Sequence, residues 1–217
     1  TVTRRFIAAG IVSLMAIIGT ASLNAQGLEE GLIGYWPFDD QSDPESTPDM
    51  SEGGNHGTVN GEPEFVTGAT GGGGDKAIQF DGADDSVTTE VSLLNDLEEL
   101  TLSFWMLMPE AQPGNRVGLI GQNDAVEYGM INPTTMQYWT PAGNISVDFG
   151  PTLEEWTHVA VVVNADGMHV YANGEQIGTA GGGGAVSSGD TFNMGGDGVF
   201  DAEGNWFLGA MDDVAVW

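Results

Sequence analysis

The chain has no cysteine among its 217 residues. That absence excludes a disulfide framework, a thiolate zinc site and a cysteine nucleophile together. In an exported protein it points toward a bacterial source, because small animal secreted domains lean on disulfides. Basic residues are nearly missing too: four Lys and Arg face 32 Asp and Glu, a formal net charge of −28. Such a surface repels nucleic acid and anionic lipid, so neither is expected as a partner. It attracts cations, and a saline habitat, bound calcium or plain solubility would each account for it. Helical periodicity longer than about two turns is absent outside Ser92–Glu99. Only three histidines occur, at 56, 158 and 169, and no Gly-x-Ser-x-Gly elbow accompanies them. A serine hydrolase is therefore not expected.

One long apolar run is present, and it lies at the start. Arg4 and Arg5 precede an apolar stretch from Phe6 to Ile18, followed by small residues ending at Ala25. This is the pattern of a signal peptide over residues 1–25, with cleavage after Ala25 and export of residues 26–217. The rival reading is a membrane anchor, because no charge falls between Phe6 and Glu29. Gly10, Gly19 and four polar residues weaken an apolar span of about 20 residues, which favours the cleaved signal and no stable membrane insertion afterwards. After cleavage Lys76 and Arg116 are the only basic residues against all 32 acidic ones, giving −30.

The remainder is punctuated by 34 glycines, nine prolines and several Asn-Gly or Asp-Gly pairs. That is the grammar of many short strands joined by turns. Leu100–Met108 alternates with one wholly apolar face, as an inner strand of a sandwich does. Thr157–Val163 is a second strand, and Asn173-Gly174 suits a type I′ hairpin between two more. Further strands are expected at 31–39, 77–81, 86–90, 117–122, 127–131, 136–140, 144–149, 191–195 and 207–217. Residues 41–55 read as a long polar loop, and the tetraglycine runs at 71–74 and 181–184 as flexible loops. The expected fold is all-β: a jelly-roll β-sandwich of two antiparallel sheets in a single domain. A chain that opens on Thr1 and stops inside an apolar run at Trp217 is expected to be part of a longer protein.

Five segments in order carry a family resemblance. They are Gly31-Leu-Ile-Gly-Tyr-Trp-Pro-Phe-Asp39, Gly54-Asn-His-Gly-Thr-Val-Asn-Gly61, Ala77-Ile-Gln-Phe-Asp-Gly-Ala-Asp-Asp85, Trp156-Thr-His-Val-Ala-Val161 leading to Tyr171-Ala-Asn-Gly174, and Gly209-Ala-Met-Asp-Asp-Val214. Together they resemble the laminin-G-like jelly-roll domains of the concanavalin A-like lectin/glucanase superfamily. The resemblance implies a module that binds carbohydrate, protein or both inside larger secreted or surface proteins. It leaves the ligand open, because the fold hosts many functions.

Glycosidases also occur in that superfamily. Its retaining members place two glutamates on one strand in a Glu-x-Asp-x-Glu pattern, about 5.5 Å apart. No Glu is followed two positions later by Asp anywhere in this chain. Glu62 and Glu64 are spaced by two, but Pro63 marks a loop, and the chain is not expected to be an enzyme. For an ion, calcium fits best. The first and last strands of a jelly roll are commonly neighbours, and alternation with Val214 and Val216 places Asp212 on the core side near Asp39. Paired inward carboxylates require a cation, and Asp49 offers a third oxygen. Asp81-Gly-Ala-Asp-Asp85 and Asp197–Gly204 read instead as solvated turns. His158 and His169, on neighbouring strands, are too few for a tetrahedral metal site.

Sugar rings stack on loop aromatics, which singles out Tyr138, Trp139 and Trp206 as ligand-binding candidates. Trp36, Trp105 and Trp156 lie within strand patterns and belong to the core. The expected function is a calcium-stabilised, non-catalytic extracellular module that binds a glycan or a surface protein, with a structural or adhesive spacer as the alternative.

Overall fold

A computed structural model describes residues 28–112, 114–201 and 204–217. The expected signal peptide at 1–25 lies outside these residues. Among the described residues there is no helix, and Ser92–Glu99 forms turns instead. Sixteen strands run in chain order. The first six are β1 (Gly34–Trp36), β2 (Ser46–Thr47), β3 (Gly57–Asn60), β4 (Glu64–Thr67), β5 (Lys76–Asp81) and β6 (Ser86–Thr88). Then come β7 (Leu100–Leu107), β8 (Val117–Gln122), β9 (Val126–Asn132), β10 (Thr135–Thr140) and β11 (Gly143–Asp148). The last five are β12 (Thr157–Asn164), β13 (Gly167–Ala172), β14 (Glu175–Ala180), β15 (Asn193–Met194) and β16 (Leu208–Val216).

They form two antiparallel eight-stranded sheets. The first has the order β14-β13-β12-β7-β16-β5-β4, with β1 also on β16. The second has the order β11-β10-β9-β8-β15-β6-β3-β2. Strands β2, β3 and β4 were not legible as strands in the sequence. Two-to-four-residue segments with little apolar content carry almost no period of their own, and pairing with a neighbour defines them.

Alternation drives the packing. Leu102, Phe104 and Met106 of the first sheet and Tyr128, Met130, Met136 and Tyr138 of the second all point between the sheets and are fully buried. Aromatic rings bridge the layers: Trp36 stacks on Phe192 at 5.4 Å, and Phe104 meets Tyr128 edge-on at 5.9 Å. Each such pair contributes about 1 kcal/mol beyond its buried area.

The Tyr128 hydroxyl is buried with no hydrogen-bond partner. An unsatisfied buried hydroxyl costs about 1–3 kcal/mol, and burial pushes its pKa far up. Tyr128→Phe keeps the ring and removes that atom. The variant is expected to melt about 2–4 °C higher by calorimetry, given about 1 kcal/mol recovered in a domain of this size; a lower Tm would mean that the hydroxyl has a partner in solution.

Candidate functional site

The outer face of the second sheet carries an open cleft of about 610 Å³. Its floor follows from strand periodicity: with Tyr128, Met136 and Tyr138 turned into the core, Glu127, Gln137 and Trp139 must face outward. Register aligns them. Trp139 lies opposite Glu127 of β9 on one side and Asn144 of β11 on the other. Gln137 lies opposite Ser146 and donates to its hydroxyl at 2.9 Å.

The cleft wall is the segment 196–201, which lies over β8 and β9. Glycines make that approach possible: a Cβ on Gly118 would meet Val199 at 2.7 Å, and one on Gly129 would meet the Phe200 ring at 2.6 Å. Arg116 closes the corner. Its guanidinium sits 4.8 Å over the Phe200 ring and donates to the Phe200 carbonyl at 3.3 Å. It also reaches Glu127 at 3.7 Å and Asp201 at 3.9 Å. Burial pushes the Glu127 carboxyl up to about 7, against the pull of the Asp124 backbone N–H and of Arg116.

Of the three sequence-predicted ligand aromatics, the structure brings only Trp139 to this cleft. Tyr138 is fully buried, and its hydroxyl donates to the Gly183 carbonyl at 2.7 Å. It is a core residue, because adjacent positions on a strand cannot share a face. Trp206 is half-buried beside Gly196 and is not among the side chains lining the cleft. Glu127, Arg116, Gln137 and Asn144 escaped the sequence reading. Alternation around Trp139 would have flagged Gln137; the others needed register across three strands.

A second constellation forms where β16 changes partners. Its first half, Leu208–Met211, pairs with β5, and its second half, Val214–Val216, pairs with β1. Between them one extra residue bulges out: Asp212 lies opposite Trp105 and Ala215 opposite Ser103 on β7. Asp213 takes φ 51 to make this bulge. The bulge corrects the expectation that Asp212 shares the face of Val214 and Val216. It lies on the opposite, outer side with Trp105, and it is buried there because the 68–71 loop folds over it.

Four aspartates surround the gap, near enough for their charges to act on one another, whereas among the described residues the carboxylates whose oxygens lie within 4.8 Å of one another are those of Asp81, Asp84 and Asp85. Asp212 Oδ2 accepts the Ala69 N–H at 2.8 Å, while its Oδ1 is buried without a partner. Asp75, just before β5, accepts the N–H groups of Thr70 and Gly71. A Cβ on Gly68 would meet the Asp75 and Asp212 carboxylates at 2.6 and 2.7 Å, so only glycine fits between them. Asp39, past β1, accepts the Lys76 N–H at 2.8 Å. Asp213 accepts the Tyr35 hydroxyl. Burial raises the Asp212 carboxyl to about 7, with the charges of Asp213 and Asp75 adding to it. Asp213 is raised as well, by burial first and then by Asp75 and Asp39, although the Tyr35 hydroxyl opposes this. Phe38, at φ 60, turns the chain so that its ring enters the core just before Asp39 leaves it.

Asp49 does not join this group. Its Oδ1 accepts from the N–H groups of Tyr35 and Ser51, and its Oδ2 from Asn55. Those three amides outweigh burial and hold its carboxyl below the ordinary range. Its place is therefore as the brace of the 49–56 loop, whose other end His56 ties by accepting the Asp49 N–H. Asp81 and Asp85 likewise cap backbone N–H groups in their own turn.

His158 and His169 stand apart. His158 is buried against the Ser103 hydroxyl at 2.9 Å, whereas His169 faces Thr179. Burial lowers the His158 pKa to about 4. The folded state then resists a proton that the unfolded chain accepts below pH 6.5. Stability present above that pH is lost as pH falls toward 4, by roughly 3 kcal/mol. Melting curves should show wild type losing this increment relative to His158→Gln between pH 6.5 and 4; parallel curves would refute a buried neutral imidazole.

No curated protein matches the chain in sequence. Among solved structures, domain 4 of AbnA, a GH43 extracellular arabinanase from Geobacillus stearothermophilus, solved in complex with arabinotriose, superposes with TM-score 0.58 at 17% identity. The match covers 85% of this chain and 91% of that one. The botulinum neurotoxin serotype D binding domain gives TM-score 0.62 at 13% identity, over 87% of this chain and 48% of that one. A Trypanosoma rangeli sialidase in complex with the inhibitor DANA gives 0.61 at 15%, over 86% and 30%. At these identities the likeness is one of fold. A laminin-G-like model described as the concanavalin A-like lectin/glucanases superfamily matches residues 81–217, and the chain belongs to that superfamily.

Proposed function

We propose that the chain is a non-catalytic extracellular module that binds a glycan in the cleft over β9, β10 and β11. The observation that carries this is Trp139, an aromatic face in an open cleft, flanked by Gln137, Asn144 and Glu127. An apolar ring face beside a few fixed polar groups suits a sugar, whose C–H face stacks while its hydroxyls bond at the rim. A non-catalytic role is supported by β9 itself. The same-face neighbour of Glu127 on β9 is Gly129, so the strand lacks the same-strand carboxylate pair of retaining hydrolysis, although Asp124 and Asp201 line the same cleft. Export is supported by the pattern of residues 1–25. Glycan-array binding by the chain, with no reducing ends released from the bound sugars, tests both halves. Hydrolysis would overturn the non-catalytic part, and an array without hits would overturn the binding part.

We further infer that calcium is held by Asp39, Asp75, Asp212 and Asp213. The donor chemistry suits calcium: four hard carboxylates, one with a buried unpartnered oxygen, surround the gap, and an ion would have to draw their side chains closer together than they stand. A bound cation would supply the charge compensation that these acids lack, fastening the ends of β1 and β5 to the middle of β16. It lies on the first sheet, so its role is structural.

A further inference from the structure

We propose that the cleft discriminates by charge: it accepts glycans free of carboxylate and sulfate groups, and Glu127 is the residue that turns the acidic ones away. This rests on the glycan-binding reading above. Three carboxylates line the cleft, Asp124, Glu127 and Asp201, against the single cation Arg116. Arg116 is already committed, at 3.7 Å to Glu127, 3.9 Å to Asp201 and in a hydrogen bond to the Phe200 carbonyl. An acidic sugar would have to compete for it with carboxylates that the protein holds in place. No second cation is at hand: the only other basic residue among those described, Lys76, lies in β5 of the opposite sheet.

Glu127 governs the outcome because it is buried in the cleft floor, where water screens its charge least; with its carboxyl raised to about 7, that charge is fully present only above neutral pH, so the discrimination is read at pH 8. It is opposite Trp139 in the sheet, so a ring stacked on the indole must pass beside it. Sugar hydroxyls can donate to its oxygens, and Gln137 and Asn144 can donate to ring substituents in turn. A carboxylate or sulfate has no proton to give and meets like charge instead. The hydroxyls of an uncharged sugar can pair with each of these groups, whereas the acidic group of a charged sugar finds no free cation in the cleft.

The test is an array of matched glycans, each neutral core printed with and without sialic acid, uronate or sulfate, probed with the full chain near physiological salt. Neutral cores should bind at least tenfold more tightly than their acidic counterparts. Glu127→Gln should shrink that gap to about threefold, and Asp201→Asn, less buried and safer for folding, should shrink it in the same direction. Asp166→Asn, in the exposed turn between β12 and β13, controls for net charge and should leave the gap intact. Acidic glycans bound as tightly as neutral ones would overturn the charge rule alone, as would a gap unmoved by both Glu127→Gln and Asp201→Asn. Failure of every glycan, whatever its charge, would overturn the binding reading and this one with it.

Discussion

Chelating calcium from the folded chain is expected to lower its Tm by about 10 °C. An ion that binds only the native state stabilises it by about 4 kcal/mol when present at a thousandfold excess over its Kd. For a domain of this length each kcal/mol shifts Tm by about 2–4 °C. The comparison needs fixed high ionic strength, because a chain of charge −28 responds to any salt. Magnesium should substitute poorly, since it demands near-octahedral geometry and sheds water reluctantly. Asp212→Asn separates this site from general screening. An amide oxygen can still accept the Ala69 N–H, while the uncompensated buried charge disappears. The variant should melt higher than wild type in EDTA and show no calcium increment. Identical melting of the wild-type chain in EDTA and in calcium would remove the ion from this account.

Trp139→Ala is expected to weaken glycan binding by about 30-fold or more. Aromatic anchors at the centre of a binding surface typically cost about 2 kcal/mol on truncation, and each 1.4 kcal/mol is a factor of ten. Trp139→Phe should retain part of the affinity, because a smaller ring still offers a stacking face. Trp139 is only half-buried and faces outward, so its loss should barely change Tm. Trp206→Ala serves as the contrast and should bind normally. Isothermal titration with the best array hit measures all three; a Trp139→Ala variant within threefold of wild type would place the ligand elsewhere on the molecule.

The strands that sequence revealed most clearly are the long alternating ones. Leu100–Met108 and Thr157–Val163 appear as β7 and β12 within a residue, and Val117–Gln122 matches β8 at both ends. Their period of two is written in the side chains and survives any tertiary context. The site was legible only in part. Trp139 stood out as an aromatic beside turn residues, yet its neighbour Tyr138 carried the same signal and proved to be core. Composition cannot tell which of two adjacent aromatics faces out; the burial of Met136 on the same side as Tyr138 does. Alternation predicts the core face for Asp212, and the bulge at Asp213 turns it to the outer side instead. Asp75 was hidden in a glycine-rich loop that nothing local ties to β16.

By itself the sequence determined the class of this protein: acidic, free of cysteine, built from alternating strands and punctuated by turns. It also determined the family, through five short segments whose order is a linear property of the chain. Tertiary structure decided what those segments do. Register across β9, β10 and β11 assembled the cleft from residues that no local pattern connects. The exchange of partners along β16 set Asp212 and Asp213, in the middle of that strand, beside Asp39 and Asp75 from the ends of β1 and β5. Both depend on contacts between residues far apart in the chain. Local periodicity constrains which way a side chain points, but not which neighbour it will meet.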